Sequence, residues 1–219
     1  MEISYWTSRW RKNKLGWHMQ QVYPPLIKYW DAFSLKIGDR VLVPMCGKSR
    51  DLVWLADQGV QVIGVEVSEI AARQFFQEQA LEYKTQEKGP FTIYESGSIQ
   101  FWLESIFKLT EVQLPAIDAI YDKAALIALP PDKRPAYARL IRDCSTEIQT
   151  MLINTFEYEQ DEMNGPPFAV FEYEIRDYYA DWFEIYTLHE RSALEELSKF
   201  RLRGLQSYLT EKVYVLQKK

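Results

Sequence analysis

Residues 41–69 read VLVPMCGKSRDLVWLADQGVQVIGVEVSE and carry the clearest structural pattern in the sequence. An apolar run ends at Gly47, a segment with helical spacing follows, and a second apolar run ends in the acidic residue Glu66. A strand, a glycine loop, a helix and another strand in this order are typical of parallel strands joined by a crossover helix. We therefore predict an α/β protein built on a doubly wound, mostly parallel sheet.

The rest of the chain continues the alternation of strands and helices. Residues 1–38 are rich in Trp, Tyr and Lys and predict two helices separated by Pro24 and Pro25. Short apolar runs predict further strands over residues 99–103, 116–121, 150–156, 182–188 and 207–216. Since neither a linker nor an internal repeat interrupts the sequence, we expect residues 1–219 to form one domain that includes residues 1–38 as an N-terminal extension.

The composition argues against several classes of protein. Among the 219 residues, 31 acidic side chains outnumber 26 basic ones, which gives a net charge of −5 and argues against nucleic acid as a partner. Two cysteines and two histidines are too few for a zinc site of the usual kind, so we expect no metal. No apolar run is long enough to span a membrane and the N-terminus lacks an apolar signal core, so we expect a cytoplasmic protein.

Glu66 is the candidate cofactor residue that the spacing alone identifies. It lies 19 residues after Gly47, at the carboxyl end of the second predicted strand. In doubly wound sheets an acidic residue at this position binds the hydroxyl groups of a ribose, because a carboxylate accepts hydrogen bonds from both of them. The alternative is that Glu66 only solvates the end of the strand.

The loop at residues 44–47 limits what the cofactor can be. A dinucleotide is bound by a glycine-rich loop, which lets the backbone approach a pyrophosphate closely. Here Pro44, Met45 and Cys46 precede a single glycine, so a cofactor without phosphates fits better. The pattern still allows an NAD-dependent oxidoreductase, and a non-catalytic protein that binds a nucleoside is a further alternative.

Strings of residues that are specific to one family run in order along the chain. They are residues 41–49 (VLVPMCGKS), 54–56 (WLA), 62–69 (VIGVEVSE), 121–131 (YDKAALIALPP), 157–160 (EYEQ), 165–168 (GPPF), 203–205 (RGL) and 211–214 (EKVY), with Trp6, Trp10 and Gly16-Trp17-His18 before them. In these strings the chain resembles the thiopurine S-methyltransferase family over essentially its whole length.

The resemblance implies a class I methyltransferase. Its sheet would have seven strands, the last of them antiparallel, with S-adenosylmethionine bound across the carboxyl ends of the strands. The implied activity is methyl transfer to the sulfur of a small aromatic or heterocyclic thiol, and residues 1–38 would form a helical lid. The residues implied to contact the cofactor are Trp10, Met45, Glu66, Ser105, Ile106 and Lys123, and those implied to face the acceptor are Trp17 and Lys123.

No covalent nucleophile is implied, because the methyl donor already carries its leaving group and catalysis consists largely of alignment. Lys123 can stabilise an acceptor thiolate and Asp122 can accept a proton, although neither role follows from the sequence. A thiol ionises readily, so no strong general base is required. The acceptor stays open among aromatic thiols, small thiols and selenium or tellurium species, and we expect a monomer.

The chain departs from the family pattern at several of these positions. Met45 stands where Leu is usual, a nearly volume-conserving exchange, and Trp17 stands where Phe is usual, which narrows the acceptor pocket. Residues 103–107 read LESIF where bacterial members commonly have CGDFF. Lys123 replaces the usual Arg, and a compact ammonium cannot reproduce the planar fork of a guanidinium. The acceptor preference therefore does not follow from the family.

Overall fold

The computed structural model describes residues 3–219, so the first two residues of the predicted lid lie outside the described residues. The α-helices are α1 Ile3–Arg11, α2 Pro24–Lys28, α3 Asp51–Asp57, α4 Glu69–Glu78, α5 Arg134–Asp143 and α6 Glu172–Tyr179. The strands are β1 Arg40–Pro44, β2 Gln61–Glu66, β3 Lys84–Lys88, β4 Phe91–Ser96, β5 Ile99–Leu103, β6 Ala119–Lys123, β7 Thr150–Glu157, β8 Phe183–Ser192 and β9 Thr210–Lys218. Within residues 3–219, no helix combines the length and the hydrophobicity needed to cross a membrane.

These strands form one sheet in the order β3-β4-β5-β2-β1-β6-β7-β9-β8. The central strands β5, β2, β1, β6 and β7 are parallel. The last strand, β9, lies between β7 and β8 and runs antiparallel to both. The doubly wound, mostly parallel sheet with an antiparallel last strand is therefore confirmed.

The sheet has nine strands where seven were expected. The additional strands β3 and β4 form a hairpin that turns at Gly89 and Pro90, and β4 extends the sheet by antiparallel pairing with β5. All of β3 is exposed, and its sequence KTQEK lacks the apolar alternation from which strands are predicted. Exposed charges suit an edge strand, because they oppose pairing with another chain.

Helices cover both faces of the sheet, so its side chains are buried in two layers. Successive side chains of a strand point to opposite faces. In β1, Val41 and Val43 accordingly pack with α3 and α4, whereas Leu42 packs with α5 and α6. A smaller apolar cluster, which contains Tyr158 and Phe200, packs the segment between β8 and β9 against the residues that follow β7.

The carboxyl ends of the parallel strands meet at one edge of the sheet. There β1 ends at Pro44, β2 at Glu66, β5 at Leu103 and β6 at Lys123. The chain leaves β2 through Ser68, whose side-chain oxygen caps α4 by accepting a hydrogen bond from the Ala71 amide at 3.4 Å. Ligands of doubly wound sheets bind at this edge.

Candidate functional site

A cavity of about 1510 Å³ opens at the carboxyl edge of the parallel strands. A pocket for one small ligand measures roughly 300–1,000 Å³, so this cavity has room for two molecules. Every residue that the resemblance assigned to the cofactor or the acceptor lines it, namely Trp10, Trp17, Met45, Glu66, Ser105, Ile106 and Lys123. The fold thus assembles in one place residues that are widely separated in the sequence.

Three backbone amides hold the Glu66 carboxylate at the end of β2. Oε2 accepts a hydrogen bond from the Gly47 amide at 3.0 Å, and Oε1 accepts from the amides of Val67 and Ser68, both at 2.9 Å. A carboxylate has about four acceptor positions, so one remains for a ligand hydroxyl. Burial raises the pKa of Glu66 to about 7, although the three amides act in the opposite direction. Glu66 is therefore a fixed hydrogen-bond acceptor in the cavity wall.

The loop after β1 adopts backbone angles that bring it close to the cavity. Met45 and Gly47 have φ angles of +49° and +57°, in the left-handed region that favours glycine. A β-carbon at position 47 would lie 3.5 Å from the Trp10 ring. Ala124, directly after β6, has a φ of +69°. Non-glycine residues in this region concentrate at functional sites, and both Met45 and Ala124 line the cavity.

Cys46 has a packing role within the same loop. Its Sγ lies 2.8 Å from the place where a β-carbon on residue 64 would stand, so Gly64 makes room for this side chain. Burial, together with the neighbouring Glu66 charge, raises the pKa of the Cys46 thiol well above its usual range. A nucleophilic cysteine needs its thiolate form, which this environment disfavours.

The tryptophans of the N-terminal segment form one aromatic cluster over the cavity. Trp10 is only 3% exposed, and its ring meets that of Trp17 edge-on at 5.9 Å between centroids. Trp17 in turn meets Trp6 edge-on at 5.3 Å. The predicted cofactor residue Trp10 and the predicted acceptor residue Trp17 are therefore in direct contact.

Ser105 and Ile106 directly follow β5. This strand pairs with β2 on the side of β2 opposite to β1. Ile106 is buried in the core layer of α5 and α6. The Ser105 amide, which was predicted to face the cofactor, donates a hydrogen bond of 2.6 Å to Oε1 of Glu104. Glu104 also lines the cavity. Glu104 therefore places a carboxylate one residue before position 105, where bacterial relatives were expected to carry an aspartate.

Lys123 places a partly buried positive charge in the cavity at the end of β6. Its Nζ lies 5.7 Å from the centroid of the Tyr23 ring, within the range of a cation–π contact. Burial lowers the pKa of Lys123, whereas the negative charges of Asp51 and Glu211 raise it. The two carboxylates therefore oppose the effect of burial and favour the protonated form of Lys123.

A buried polar network around Lys123 was not predicted from the sequence. Asp51 accepts hydrogen bonds from the Tyr23 amide at 2.8 Å and from the Tyr121 hydroxyl at 2.9 Å. The Tyr23 hydroxyl donates to Glu211 at 2.7 Å, and Glu211 also accepts from Arg191 at 2.7 Å. The network joins the segment before α2 to α3, β6 and β9. A signal was present in Asp51, an acidic residue placed directly after the glycine loop, but its partners are remote in the chain.

Asp122, predicted as a possible proton acceptor, does not line the cavity. It is 0% exposed, and Oδ1 accepts from the amides of Ala125 and Leu126 at 3.0 and 3.1 Å. Oδ2 accepts from the Tyr137 hydroxyl at 2.7 Å. The side chain points to the opposite face of β6 from Lys123, because neighbouring side chains of a strand alternate. Asp122 therefore shapes the turn after β6, and its role as a proton acceptor stays a prediction.

Solved structures that resemble this chain are methyltransferases. The structure of Burkholderia thailandensis 1,6-didemethyltoxoflavin-N1-methyltransferase with S-adenosylhomocysteine matches with a TM-score of 0.63 at 16% identity, over 99% of this chain and 87% of that one. A S-adenosylmethionine-dependent methyltransferase from Anabaena variabilis matches with a TM-score of 0.65 at 14% identity, over 100% and 96%. These likenesses define the class I methyltransferase fold.

Sequence relatives identify the family within that class. The family described as thiopurine S-methyltransferase matches residues 1–219. The chain is 39% identical to the thiopurine S-methyltransferase of Pseudomonas fluorescens, over 100% of this chain and 98% of that protein. It is 42% identical to that of Bordetella petrii, over 100% and 99%. The chain belongs to the thiopurine S-methyltransferase family and is an S-adenosylmethionine-dependent methyltransferase, so the oxidoreductase and non-catalytic alternatives are set aside.

Proposed function

We propose that this protein transfers the methyl group of S-adenosylmethionine to the sulfur of a small aromatic or heterocyclic thiol, with thiopurines as members of that class. The proposal rests on one observation, namely that a single cavity extends across the end of β1 from β2 to β6. Glu66 lines it from β2, and Lys123 lines it from β6, on the other side of β1. Neighbouring strands are about 4.8 Å apart, so the ends of β2 and β6 are roughly 10 Å apart. This distance suits a donor and an acceptor that meet above the loop after β1.

The cofactor half of the cavity follows the order of the strands. The residues after β5, Ser105 and Ile106, would border the adenine, Glu66 would bind the ribose, and Met45 would border the methionine part. Trp10 would cover the cofactor from the lid. When bound, S-adenosylmethionine supplies a methyl group on a sulfonium sulfur. The electron-rich face of a tryptophan attracts such a cation by about 0.5–2 kcal/mol.

The acceptor half combines aromatic surface with the Lys123 charge. Tyr23, Phe156 and Phe200 line it and offer flat contacts to a heterocyclic ring. Lys123 would stabilise the thiolate form of the acceptor, so that the sulfur attacks without a strong general base. Trp17 would border the acceptor from the lid. The protein would act by alignment and by excluding water, and it forms no covalent bond to the methyl group.

Residues 1–38 would serve as a lid that closes over both ligands. Trp10 and Trp17 contact each other above the cavity, while α1 touches the sheet layer through α4. A closing lid removes water from the site and strengthens the electrostatic contacts inside it. We further propose that residues 1–219 act as one domain and that the protein is a cytoplasmic monomer without a nucleic-acid partner, in keeping with its net charge of −5.

A matched pair of acceptors tests the choice of sulfur. Thiophenol and phenol have the same ring and differ in the atom that attacks. With S-adenosylmethionine, we expect methylation of thiophenol and of 6-mercaptopurine and no measurable methylation of phenol. Equal rates on thiophenol and phenol, or methylation of neither thiol, would rule out the proposed acceptor class.

A further inference from the structure

The segment after β8 places two more cations in the cavity wall. Lys199 and Arg203 both line the cavity, and they lie on either side of Phe200 in the sequence. Lys199 Nζ is 5.3 Å and Arg203 Cζ is 5.8 Å from the centroid of the Phe200 ring. Phe200 is itself buried and meets Phe156 edge-on at 5.8 Å. The buried Phe200 ring thus contacts both Lys199 and Arg203 at the cavity wall.

Within residues 3–219, neither of these cations forms an ion pair with a carboxylate. Lys199 donates a hydrogen bond of 2.5 Å to the Gly16 carbonyl, and Arg203 donates to the Asn164 carbonyl. Other arginines of the same region, Arg191 and Arg201, do pair with glutamates. Lys199 and Arg203 therefore line the cavity with backbone carbonyls and the Phe200 ring as partners, and no carboxylate of the described chain neutralises their charges.

The cations also repel one another. Burial lowers the pKa of Lys199, and the positive charges of Lys123 and Arg203 lower it further. A cluster of like charges is unfavourable unless an anion is bound among them. Since the net charge of the chain is negative, the clustering of Lys123, Lys199 and Arg203 is a local feature and not a consequence of composition.

We propose that the acceptor is an aromatic thiol that carries a carboxylate, and that Lys199 and Arg203 bind this carboxylate. This inference rests on the proposed function. The ring of the acceptor would pack among the aromatic side chains, with its sulfur near Lys123. Arg203 can bind a carboxylate through two donors, and charge-assisted hydrogen bonds of this kind are roughly twice as strong as neutral ones. The lysine bond to Gly16 links the anion site to the lid.

Two thiols of similar shape test the proposal, namely 4-mercaptobenzoate and its methyl ester, and comparison with the variants corrects for the different reactivity of the two thiols. Only the first carries the charge. In the unmodified protein we expect kcat/KM for the acid to exceed that for the ester at least about tenfold. Raising the ionic strength should lower the rate with the acid more than the rate with the ester, because salt screens the attraction.

Substitutions of Lys199 and Arg203 test whether these two cations cause the preference for the acid over the ester. Lys199→Gln and Arg203→Gln should each lower the acid-to-ester ratio by about tenfold, a typical size for the loss of one charge-assisted hydrogen bond. Lys199→Arg keeps the charge and should keep most of the ratio. Lys36→Gln and Arg139→Gln remove exposed charges elsewhere and serve as matched controls with an unchanged ratio.

The possible results separate the inference from the proposed function. An acid-to-ester ratio near one in the unmodified protein would overturn the inference while leaving thiol methylation intact. Variants that lose affinity for S-adenosylhomocysteine and keep the ratio would overturn it as well, because the cations would then bind the cofactor. If neither thiol is methylated while the cofactor binds, the proposed function fails and the inference fails with it.

Discussion

The Gly47 amide donates a hydrogen bond of 3.0 Å to Oε2 of Glu66. This bond joins the loop after the first strand of the strand–loop–helix–strand unit to the end of its second strand. Gly47 follows the first strand of the unit and Glu66 ends the second. The contact fixes the carboxylate and the loop relative to each other before any ligand binds. A preorganised acceptor of this kind loses little free energy on binding, because its partners are already in place.

Replacing Glu66 by alanine should remove most of the affinity for the cofactor. Hydrogen bonds to a charged group contribute about 1.5–3 kcal/mol each, so the Kd for S-adenosylhomocysteine should rise at least about tenfold. Calorimetric titration measures this change. Glu82→Ala, which removes an exposed glutamate, is the control with unchanged Kd. A Glu66→Ala protein that is folded by circular dichroism and binds with unchanged Kd would rule out the ribose contact.

Cofactor affinity should depend on pH through Glu66. The pKa of Glu66 is raised to about 7, so the carboxyl group is largely protonated below pH 7 and ionised above it. Accepting ligand hydroxyls requires the ionised form. Binding should therefore release a proton, and Kd should rise about tenfold per pH unit as the pH falls below 7. Calorimetry in buffers of different ionisation enthalpy counts the protons.

Glu66→Gln provides the control for this pH dependence, because its amide does not titrate. The variant should bind more weakly than the unmodified protein and with little variation between pH 6 and pH 8. The Cys46 thiol interacts with the Glu66 charge, and its raised pKa keeps it protonated over this range. An unchanged pH slope in Glu66→Gln would assign the titration to a different group.

The same unit explains which features of the site could be predicted. Gly47 and Glu66 belong to one local motif, and the spacing placed Glu66 at the carboxyl end of the second strand, which is where β2 ends. The hydrogen bond between the two residues was not predicted. Trp10, Trp17 and Lys123 came from the family resemblance, and the structure places them in the same cavity. Their roles toward a ligand stay predictions.

Other features depend on contacts between distant parts of the chain. Tyr23 and Tyr121 bind Asp51 from positions 28 and 70 residues away. No periodic pattern in the sequence predicts pairs at such separations. The sequence also does not say which face of β6 turns toward the cavity, so it could not show that Lys123 lines the cavity and Asp122 does not. The strand β3 was missed because an exposed edge strand needs no apolar pattern.

Asp51→Asn should alter the alkaline limb of the activity profile. The Asp51 charge raises the pKa of Lys123 against the effect of burial. Without it, Lys123 should lose its proton at a lower pH, so the fall in kcat/KM for 6-mercaptopurine at high pH should begin earlier. Lys123→Arg keeps a permanent charge and should flatten that limb. Profiles of Asp51→Asn and the unmodified protein that coincide would show that Lys123 does not act through its charge.

Proteolysis should report the closing of the lid. Arg11 ends α1 and Lys12 and Lys14 follow it, so all three offer trypsin sites in the segment before Trp17. If this segment opens in the free protein, trypsin should cut there, and saturating S-adenosylhomocysteine should slow the cut several-fold. Cleavage in the β3–β4 hairpin, at Lys84 or Lys88, should be unaffected and serves as the internal control. Equal cleavage of the N-terminal segment with and without ligand would favour a permanently docked helix.

The most direct test of the account follows the methyl group itself. The protein is incubated with 6-mercaptopurine and S-adenosylmethionine that carries a deuterated methyl group, and the products are identified by mass spectrometry. The account predicts S-adenosylhomocysteine and a methyl thioether with the intact deuterated methyl group on sulfur, both greatly reduced in Glu66→Ala at the same cofactor concentration. Unmodified mercaptopurine after prolonged incubation with saturating cofactor, or a methyl group found on nitrogen, would contradict methyl transfer to the sulfur.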